Sequence, residues 1–307
     1  DQNRYNLSGL VYLMRMLIIL ALVIEAIGTI IFSVYFYAIG EADTVPEAIY
    51  YGTFHTISSY TNAGFDLFGN SLASYANDYF VQTVTMLLIV LGAIGFPVLI
   101  ELFEYFFGKN KSFRFSLYTK VTSTIFIILL VAGAAGIWLI ENNLYFANMS
   151  WHEKLYYSLF NSVTSRSAGL STMDMNDLSN PSQFLMSIMM FIGASPSSVG
   201  GGIRTTTFAI IILTLITYAR GGSEVRIFRR SIKDQDITKS FVVFTAATII
   251  CVTSIILMAQ TELDYSLIAI IFEVTSAFGT CGLSTGITPG LSPEGKLMIM
   301  VVMFIGR

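Results

Sequence analysis

The sequence is short of charge, of cysteine and of histidine, and each shortage excludes a class of protein. Only 12% of its 307 residues are charged, whereas a soluble domain carries about a quarter charged residues. Instead, 54% of the residues are hydrophobic and the mean hydropathy is +0.68. This composition excludes an ordinary soluble domain and predicts an integral membrane protein. The net charge of −3 says little about partners.

The few cysteines and histidines give no sign of a disulfide framework, a metal site or catalytic chemistry. Cys251 and Cys281 lie in apolar segments and lack metal-ligand spacing. His55 and His152 have no acid or nucleophile pattern around them, so we interpret both as structural. No nucleotide-binding glycine motif follows a strand pattern. We therefore predict that the chain is not an enzyme and holds no organic cofactor.

Long apolar segments dominate the chain. Five of them reach the length of about 20 residues that a transmembrane helix needs. They are predicted at residues 16–39, 79–107, 121–140, 183–218 and 240–259. A sixth run begins at Leu297 and stops at Arg307, about half the length of a span. We expect the chain to be cut at this end and at the other.

Basic residues collect in the two loops that follow the second and the fourth long segments. The positive-inside rule places such loops in the cytoplasm. The first loop carries Lys109, Lys111, Arg114 and Lys120. The second carries Arg220, Arg226, Arg229, Arg230, Lys233 and Lys239. These charges could orient the protein, or they could bind anionic lipid or a cytosolic partner.

Three short apolar segments alternate with the long ones, at residues 51–60, 154–166 and 265–278. With roughly a dozen residues each, they are too short to cross a bilayer. Each leads into a small residue and a glycine followed by a bulky apolar residue. The glycines are Gly64, Gly169 and Gly282, which are 105 and 113 residues apart (169 − 64 and 282 − 169). The chain therefore repeats one unit of helix, short segment, glycine loop and helix three times.

A short helix followed by a glycine loop at membrane depth is typical of an ion filter. Glycine permits the unusual backbone conformations that a row of inward carbonyl oxygens requires. Non-helical backbone is tolerated there only when it is buried in protein or lines a watery cavity. No acidic residue occurs in these stretches, and the C-terminal ends of the short helices could supply negative potential instead. The alternative is three tight extracellular turns.

The fourth long segment contains a run rich in glycine, serine and proline at residues 193–207. Such a run cannot remain a regular helix, so we predict two half-helices around a loop. The alternative is a kink that only accommodates packing. The second long segment is interrupted by Gly92, Gly95 and Pro97, which membrane helices tolerate. The sequence thus predicts one broken member among the spans.

Three charged residues lie in or beside apolar runs. Arg307 follows the last run, where a charge marks a functional position by default; the alternative is a cytoplasmic flanking charge that reaches the interface. Arg166 is interpreted as a structural partner of local carbonyl groups. Glu25 is expected to be paired or protonated within the first span.

These motifs together resemble the KtrB/TrkH family of bacterial potassium-uptake membrane subunits, and KtrB in particular. The resemblance implies an all-α membrane protein whose helix, re-entrant pore helix and helix units are arranged pseudo-fourfold around one pore. Residues 1–108 would be the second unit, residues 109–236 the third with a broken second helix, and residues 237–307 a truncated fourth. The first unit would precede Asp1.

The resemblance also implies which residues form the site. The filter would consist of Thr61, Asn62, Ala63, Gly64, Ser167, Ala168, Gly169, Thr280, Cys281 and Gly282. The carbonyl groups of Asn62, Ala63, Ser167, Ala168, Thr280 and Cys281 would bind K⁺, the transported ion. The gate would consist of Gly193, Ala194, Ser195, Pro196, Ser197, Ser198, Val199, Gly200, Gly201, Gly202 and Arg307.

The function implied is potassium uptake across a bacterial plasma membrane, the inner membrane where there are two. A KtrA-like cytosolic ring of nucleotide-binding subunits would regulate it, the membrane subunit would be a homodimer in the lipid bilayer, and no nucleic acid would take part. One alternative is a sodium-potassium symporter of the same frame, with sodium as activator or coupled ion. A second is a secondary transporter for an organic solute that binds at the broken helix. A membrane scaffold without conduction is a third.

Overall fold

Helices make up most of the chain in a computed structural model that describes residues 7–108, 113–228 and 230–307. The predicted basic residues Lys109, Lys111 and Arg229 lie outside the described residues. The all-α fold class is confirmed. A short antiparallel pair of strands, β1 (Arg226–Ile227) and β2 (Arg230–Ser231), is the only sheet in the described part of the chain.

The helices follow one another in three similar sets. The first set contains α1 (Leu7–Ala38), α2 (Val45–Tyr60), α3 (Tyr79–Ala93) and α4 (Phe96–Phe107). The second contains α5 (Leu117–Glu141), α6 (Trp151–Thr164), α7 (Asn180–Ile192) and α8 (Thr205–Ala219). The third contains α9 (Asp234–Thr261), α10 (Leu267–Phe278) and α11 (Pro293–Gly306). In each set a long helix precedes a short one, and a further helix or helix pair follows.

The first helix of each set is long and apolar enough to cross a membrane. The qualifying stretches are Leu13–Ala38, Leu117–Glu141 and Asp234–Thr261, with hydropathies between 2.4 and 2.7. Only 17–22% of their most apolar windows is buried. The short helix α10 is different, because nine of its 12 residues are buried. The long helices therefore present apolar surface outward, and the short helix α10 lies inside.

The second long segment is not the single span that the sequence predicts. Helices α3 and α4 meet at an angle of 108°. The break falls at Gly95, whose φ of +99° suits glycine, and Pro97 follows in the first turn of α4, where its missing N–H costs little. With α7 and α8 separated by residues 193–204, two spans are broken rather than one. The broken stretch is shorter than predicted, because α8 already begins at Thr205.

Buried glutamates join the beginning and end of the second and third sets. Glu141, at the end of α5, accepts hydrogen bonds from the backbone N–H of Ser179 (3.0 Å) and from its hydroxyl (2.5 Å). Glu262, just after α9, accepts the same pair of bonds from Ser292, with 3.0 Å for the backbone N–H. Ser179 and Ser292 are the N-caps of α7 and α11. The same carboxylate–serine arrangement thus fixes where two of the inner helices begin.

Candidate ion pathway

The three predicted glycine loops lie against one another. A Cβ atom built on Gly64 would lie 2.6 Å from the carbonyl oxygen of Ala168 and 3.3 Å from the Cα of Gly169. One built on Gly169 would lie 3.2 Å from the Cα of Gly282 and would overlap the Cys281 carbonyl oxygen. Residues more than 100 positions apart in sequence are therefore in backbone contact at one place in the molecule. Only glycine permits this approach.

The backbone of the three loops follows the same unusual course. Asn62, Ser167 and Thr280 have φ values of 51°, 117° and 48°. Two residues later, Gly64, Gly169 and Gly282 have φ values of 73°, 77° and 96°. A positive φ is uncommon for residues other than glycine and persists only where the surroundings enforce it. A triple recurrence at matching positions indicates a shared functional geometry.

Most carbonyl oxygens of these loops have no hydrogen-bond donor in the part of the chain that the structure describes. Among the described residues no hydrogen bond reaches the carbonyl oxygens of Asn62, Ala63, Ser167, Ala168 and Cys281. That of Thr280 accepts only one long bond of 3.5 Å, from the Ser167 hydroxyl. Buried backbone carbonyl groups are normally paired. These oxygens are therefore available to a hydrated or partly dehydrated cation.

The middle residue of each loop uses its N–H to bind its own short helix. Ala63 donates to the Ser58 carbonyl at 2.9 Å, Ala168 to that of Thr164 at 3.0 Å, and Cys281 to that of Ser276 at 2.8 Å. The helices α2, α6 and α10 end immediately before the loops. Each loop is therefore a continuation of its helix, and the negative end of each helix dipole lies next to it.

A hydroxyl group on each short helix also fastens the loop, and the sequence analysis missed these residues. Ser58 donates to the Phe65 carbonyl at 2.6 Å, and Thr164 donates to the Leu170 carbonyl at 2.5 Å. Ser276 accepts from the Gly282 N–H at 3.2 Å. A hydroxyl residue five or six positions before each filter glycine was the available signal.

Outside the glycine loops a cavity of about 500 Å³ opens above Gly169 and Gly282. Asp174, Asn176 and Ser284 are among its polar lining residues. The Asn176 amide donates to the Thr285 carbonyl at 2.7 Å and so connects the second set of helices to the third. The cavity provides a polar approach to the loops.

The predicted gate loop lies directly against the glycine loops. A Cβ atom built on Gly200 would lie 2.7 Å from the hydroxyl oxygen of Ser167, and one built on Gly201 would lie 2.5 Å from that of Thr280. Ala194 and Ser195 are fully buried, whereas Ser197 is exposed. The stretch between α7 and α8 therefore contacts Ser167 and Thr280, the first residues of two predicted filter stretches.

The break between α3 and α4 packs against this gate loop and is hydrogen-bonded to it. Ser195 donates its N–H to the Ala93 carbonyl at 3.2 Å, and Phe96 donates its N–H to the Ser197 carbonyl at 3.0 Å. A Cβ atom on Gly95 would lie 2.6 Å from the Pro196 carbonyl oxygen. The two breaks thus satisfy one another's backbone groups, which explains how both are tolerated inside an apolar structure.

Three arginines surround the gate loop. The Arg166 Nε donates to the Gly193 carbonyl at 3.3 Å, Arg204 donates to that of Gly200, and Arg307 donates to that of Val199. The only ion pair within the described part of the chain joins Arg226 and Glu224, away from this loop. The guanidinium groups are therefore bound by carbonyl dipoles and not by carboxylates.

The role predicted for Arg166 agrees with its contacts, and Arg204 had no predicted role. Arg166 is 1% exposed and its guanidinium carbon lies 5.2 Å from the centre of the Phe126 ring, close enough for a cation–π contact. Arg204 is the N-cap of α8 and lies within the run predicted at residues 193–207. A charge at the end of a glycine-rich run inside an apolar segment was the signal for it.

The remaining polar candidates lie elsewhere. His55 is buried and its Nε2 lies 2.9 Å from the Thr85 hydroxyl, whereas His152 is exposed and its Nε2 lies 3.1 Å from the Ser150 hydroxyl. Both contacts are structural. No described residue forms an ion pair with Glu25.

The sequence and the fold both match known proteins. The family of cation transport proteins called TrkH matches residues 3–307. Ktr system potassium uptake protein D of Bacillus subtilis is 48% identical over 307 residues, which are 100% of this chain and 68% of that protein. Protein B of the same system is 35% identical over 99% of this chain and 67% of its own length.

The similar proteins also include a potassium/sodium uptake protein and a transporter of known structure. The potassium/sodium uptake protein NtpJ of Enterococcus hirae is 32% identical over 99% of this chain and 67% of its own length. The crystal structure of the potassium transporter TrkH from Vibrio parahaemolyticus superposes with a TM-score of 0.72 at 17% identity. It covers 91% of this chain and 59% of the solved chain, so it supports the fold alone. The chain spans about two thirds of the length of the three uptake proteins.

Proposed function

We propose a function from the premise that this chain belongs to the TrkH family of cation transport proteins. It is therefore an integral membrane protein and a transporter, not an enzyme. We propose that it takes up potassium across a bacterial cell membrane through the three glycine loops, with K⁺ as the transported ion. The names of the relatives most similar in sequence support potassium.

The observation that carries this proposal is a set of loop carbonyl oxygens without a hydrogen-bond donor among the described residues. Five of the six predicted K⁺ ligands accept no hydrogen bond from the described residues, and they lie on loops whose glycines are in contact. Carbonyl oxygens can replace the hydration shell of a cation in a medium of low dielectric constant. The ends of α2, α6 and α10 add negative potential there without any carboxylate.

The proposed architecture places residues 1–108, 109–236 and 237–307 as three of four pore units around one axis. Its support is the recurrence of a long helix, a short helix and a glycine loop, with matching φ values in the loops. The proposed gate is residues 193–202 with Arg307. Its support is the contact of Gly200 and Gly201 with Ser167 and Thr280.

We further propose that the cytoplasmic face binds a ring of nucleotide-binding subunits and that the membrane subunit is a homodimer. A groove there is lined by Phe115 and Lys120 from the first basic loop and α5, and by Phe228 from the β1–β2 turn. The two predicted cytoplasmic loops therefore meet at one surface. The aromatic and basic side chains offer contacts for such a partner.

Rubidium uptake into proteoliposomes that contain the full protein tests the proposed function. Gly282→Ser is compared with Gly40→Ser, because both glycines have positive φ but a Cβ on Gly40 would have no neighbour within 4 Å. We expect Gly282→Ser to change the preference for rubidium over sodium and Gly40→Ser to leave it unchanged. Equal behaviour of the two variants, or no rubidium uptake by the unaltered protein, would refute the filter.

A second candidate is sodium-coupled potassium uptake through the same loops. The name of the E. hirae relative, a potassium/sodium uptake protein, favours it. Rubidium uptake measured with and without a sodium gradient separates the two candidates. Uptake that requires sodium supports coupling, whereas uptake that is independent of sodium supports a potassium pathway alone.

A further inference from the structure

Each short helix buries a different polar side chain behind its glycine loop. The hydroxyl residues that fasten the loops are Ser58, Thr164 and Ser276. Three positions before them lie His55, Asn161 and Glu273, which are 2%, 0% and 4% exposed. Residues three apart lie on the same face of a helix. The three side chains therefore occupy corresponding places, and only the one on α10 is a carboxylic acid.

Glu273 binds the segment that follows the glycine loop containing Gly282. The hydroxyl of Ser284, two residues after Gly282, donates to its Oε1. The hydroxyl of Thr288 lies 3.0 Å from both carboxylate oxygens, and the two hydroxyls are 2.9 Å apart. One acid thus gathers two residues of the outer segment 283–288 against the inner helix.

The corresponding residues of the other two helices make different contacts. Among the described residues, the only hydrogen bond to a different element from His55 goes to Thr85 of α3, whereas its contact with the segment after its own loop is the apolar one with the Phe68 ring, at 6.4 Å between ring centroids. Asn161 donates to the Tyr157 carbonyl of its own helix at 3.0 Å and to the sulfur of Met173 at 3.3 Å, and a thioether is a weak acceptor. Of the three, Glu273 alone supplies charge-assisted hydrogen bonds to its outer segment.

We propose that Glu273 is a positioning residue that fixes the glycine loop containing Gly282 and thereby sets the preference of the pathway for potassium over sodium. This inference rests on the proposed function. The carboxylate holds Ser284 and Thr288, and through them the position of Gly282 and of the Cys281 carbonyl oxygen. A loop released on its outer side could move inward and accommodate the smaller sodium ion.

The test measures rubidium uptake into proteoliposomes and its inhibition by external sodium, for Glu273→Gln, Glu273→Asp and Thr288→Val. The matched control is Glu141→Gln, because Glu141 is also a buried acid bonded to a serine, but that serine, Ser179, is the N-cap of α7. We expect Glu273→Gln and Thr288→Val to strengthen sodium inhibition about three- to tenfold, the effect of weakening one charge-assisted hydrogen bond. We expect Glu273→Asp to recover part of the preference.

The outcomes separate the inference from the function on which it rests. Unchanged sodium inhibition in both Glu273→Gln and Thr288→Val, with normal rubidium uptake, overturns the role of Glu273 and leaves the filter standing. An equal increase in Glu141→Gln also overturns it, because it indicates a general loss of structure. No rubidium uptake by the unaltered protein refutes the proposed function itself. If Glu273→Gln does not fold, Thr288→Val, whose side chain is half-buried, decides the question.

Discussion

The glycine loops and the gate loop lie in contact but are held in different ways. Each glycine loop is bonded to the short helix from which it emerges, through two or more backbone N–H groups and one hydroxyl. The gate loop is bonded to residues of other elements, among them Ala93 of α3, Tyr118 of α5 and Gly306 of α11. One region is thus supported locally, and the other is supported by its neighbours.

This difference is the one expected between a rigid ion site and a movable gate. A loop bonded to its own helix keeps its shape when neighbouring helices shift, as a selective ion site requires. A loop bonded to several helices changes its position when any of them moves, and such an element can have two discrete arrangements. This contrast supports the proposal that the glycine loops set selectivity and that residues 193–202 control flux.

The largest expected effect comes from filling the contact between two glycine loops. In Gly169→Ala the new methyl group would overlap the Cys281 carbonyl oxygen and would strain a residue with φ of +77°. We expect rubidium uptake to fall by more than about tenfold, since each effect costs on the order of 1–3 kcal/mol. Gly40→Ala, at a glycine of similar φ (+76°) where a Cβ would have no neighbour within 4 Å, should lose less. Equal losses would argue against the described packing.

On the gate side, the largest effect is expected from Arg307. Its guanidinium donates to the Val199 carbonyl and connects α11 to the loop. Replacing Arg307 with glutamine should loosen the loop and raise rubidium uptake about threefold to tenfold, which matches a coupling of roughly 0.5–2 kcal/mol. Arg307→Lys, which keeps the charge, is the control. Lower uptake in the glutamine variant would show that the contact opens the pathway and does not close it.

A smaller effect is expected from Tyr118, whose hydroxyl donates to the Pro196 carbonyl at 2.7 Å. Tyr118→Phe removes one of several bonds to the gate loop, so uptake should rise about twofold to fivefold. Tyr218→Phe is the control, because that side chain is 62% exposed at the end of α8. If both variants behave like the unaltered protein, the hydrogen bond from α5 does not restrain the loop.

The smallest expected effect is on stability. Ser58→Ala removes the hydroxyl that holds the Phe65 carbonyl, a loss of about 1 kcal/mol, which should lower the melting temperature by about 2–4 °C. Thr53→Val is matched to it, because the Thr53 hydroxyl bonds only the Ile49 carbonyl within the same helix. Thermal unfolding in detergent compares the two. A larger shift in Thr53→Val would mean that the Ser58 bond adds no stability to the loop.

Local sequence pattern was enough for some features of the site. Gly64, Gly169 and Gly282 follow short apolar segments, and this spacing predicted the three loops that the structure brings into contact. The run beginning at Gly193 predicted a break because glycine, serine and proline interrupt any helix. Helix type and breakers are properties of neighbouring residues, which a single sequence contains.

Features that depend on distant partners were not predicted. The presence of Gly95 and Pro97 did not predict the 108° angle between α3 and α4. At this bend Gly95 lies against the Pro196 carbonyl, about 100 residues later in the sequence. The contact between Arg307 and Val199, more than 100 residues apart, is of the same kind. Glu273 lies in an apolar helix, and the sequence did not predict its hydrogen bonds with Ser284 and Thr288.

The central claim is that the three glycine loops form one cation site, and locating bound rubidium tests it most directly. The measurement is the anomalous scattering of rubidium in crystals of the full protein grown with that ion in place of potassium. The account predicts a peak within coordination distance of the carbonyl oxygens of Ala63, Ala168 and Cys281. A protein that takes up rubidium but binds it elsewhere, with no peak among these oxygens, would contradict the account.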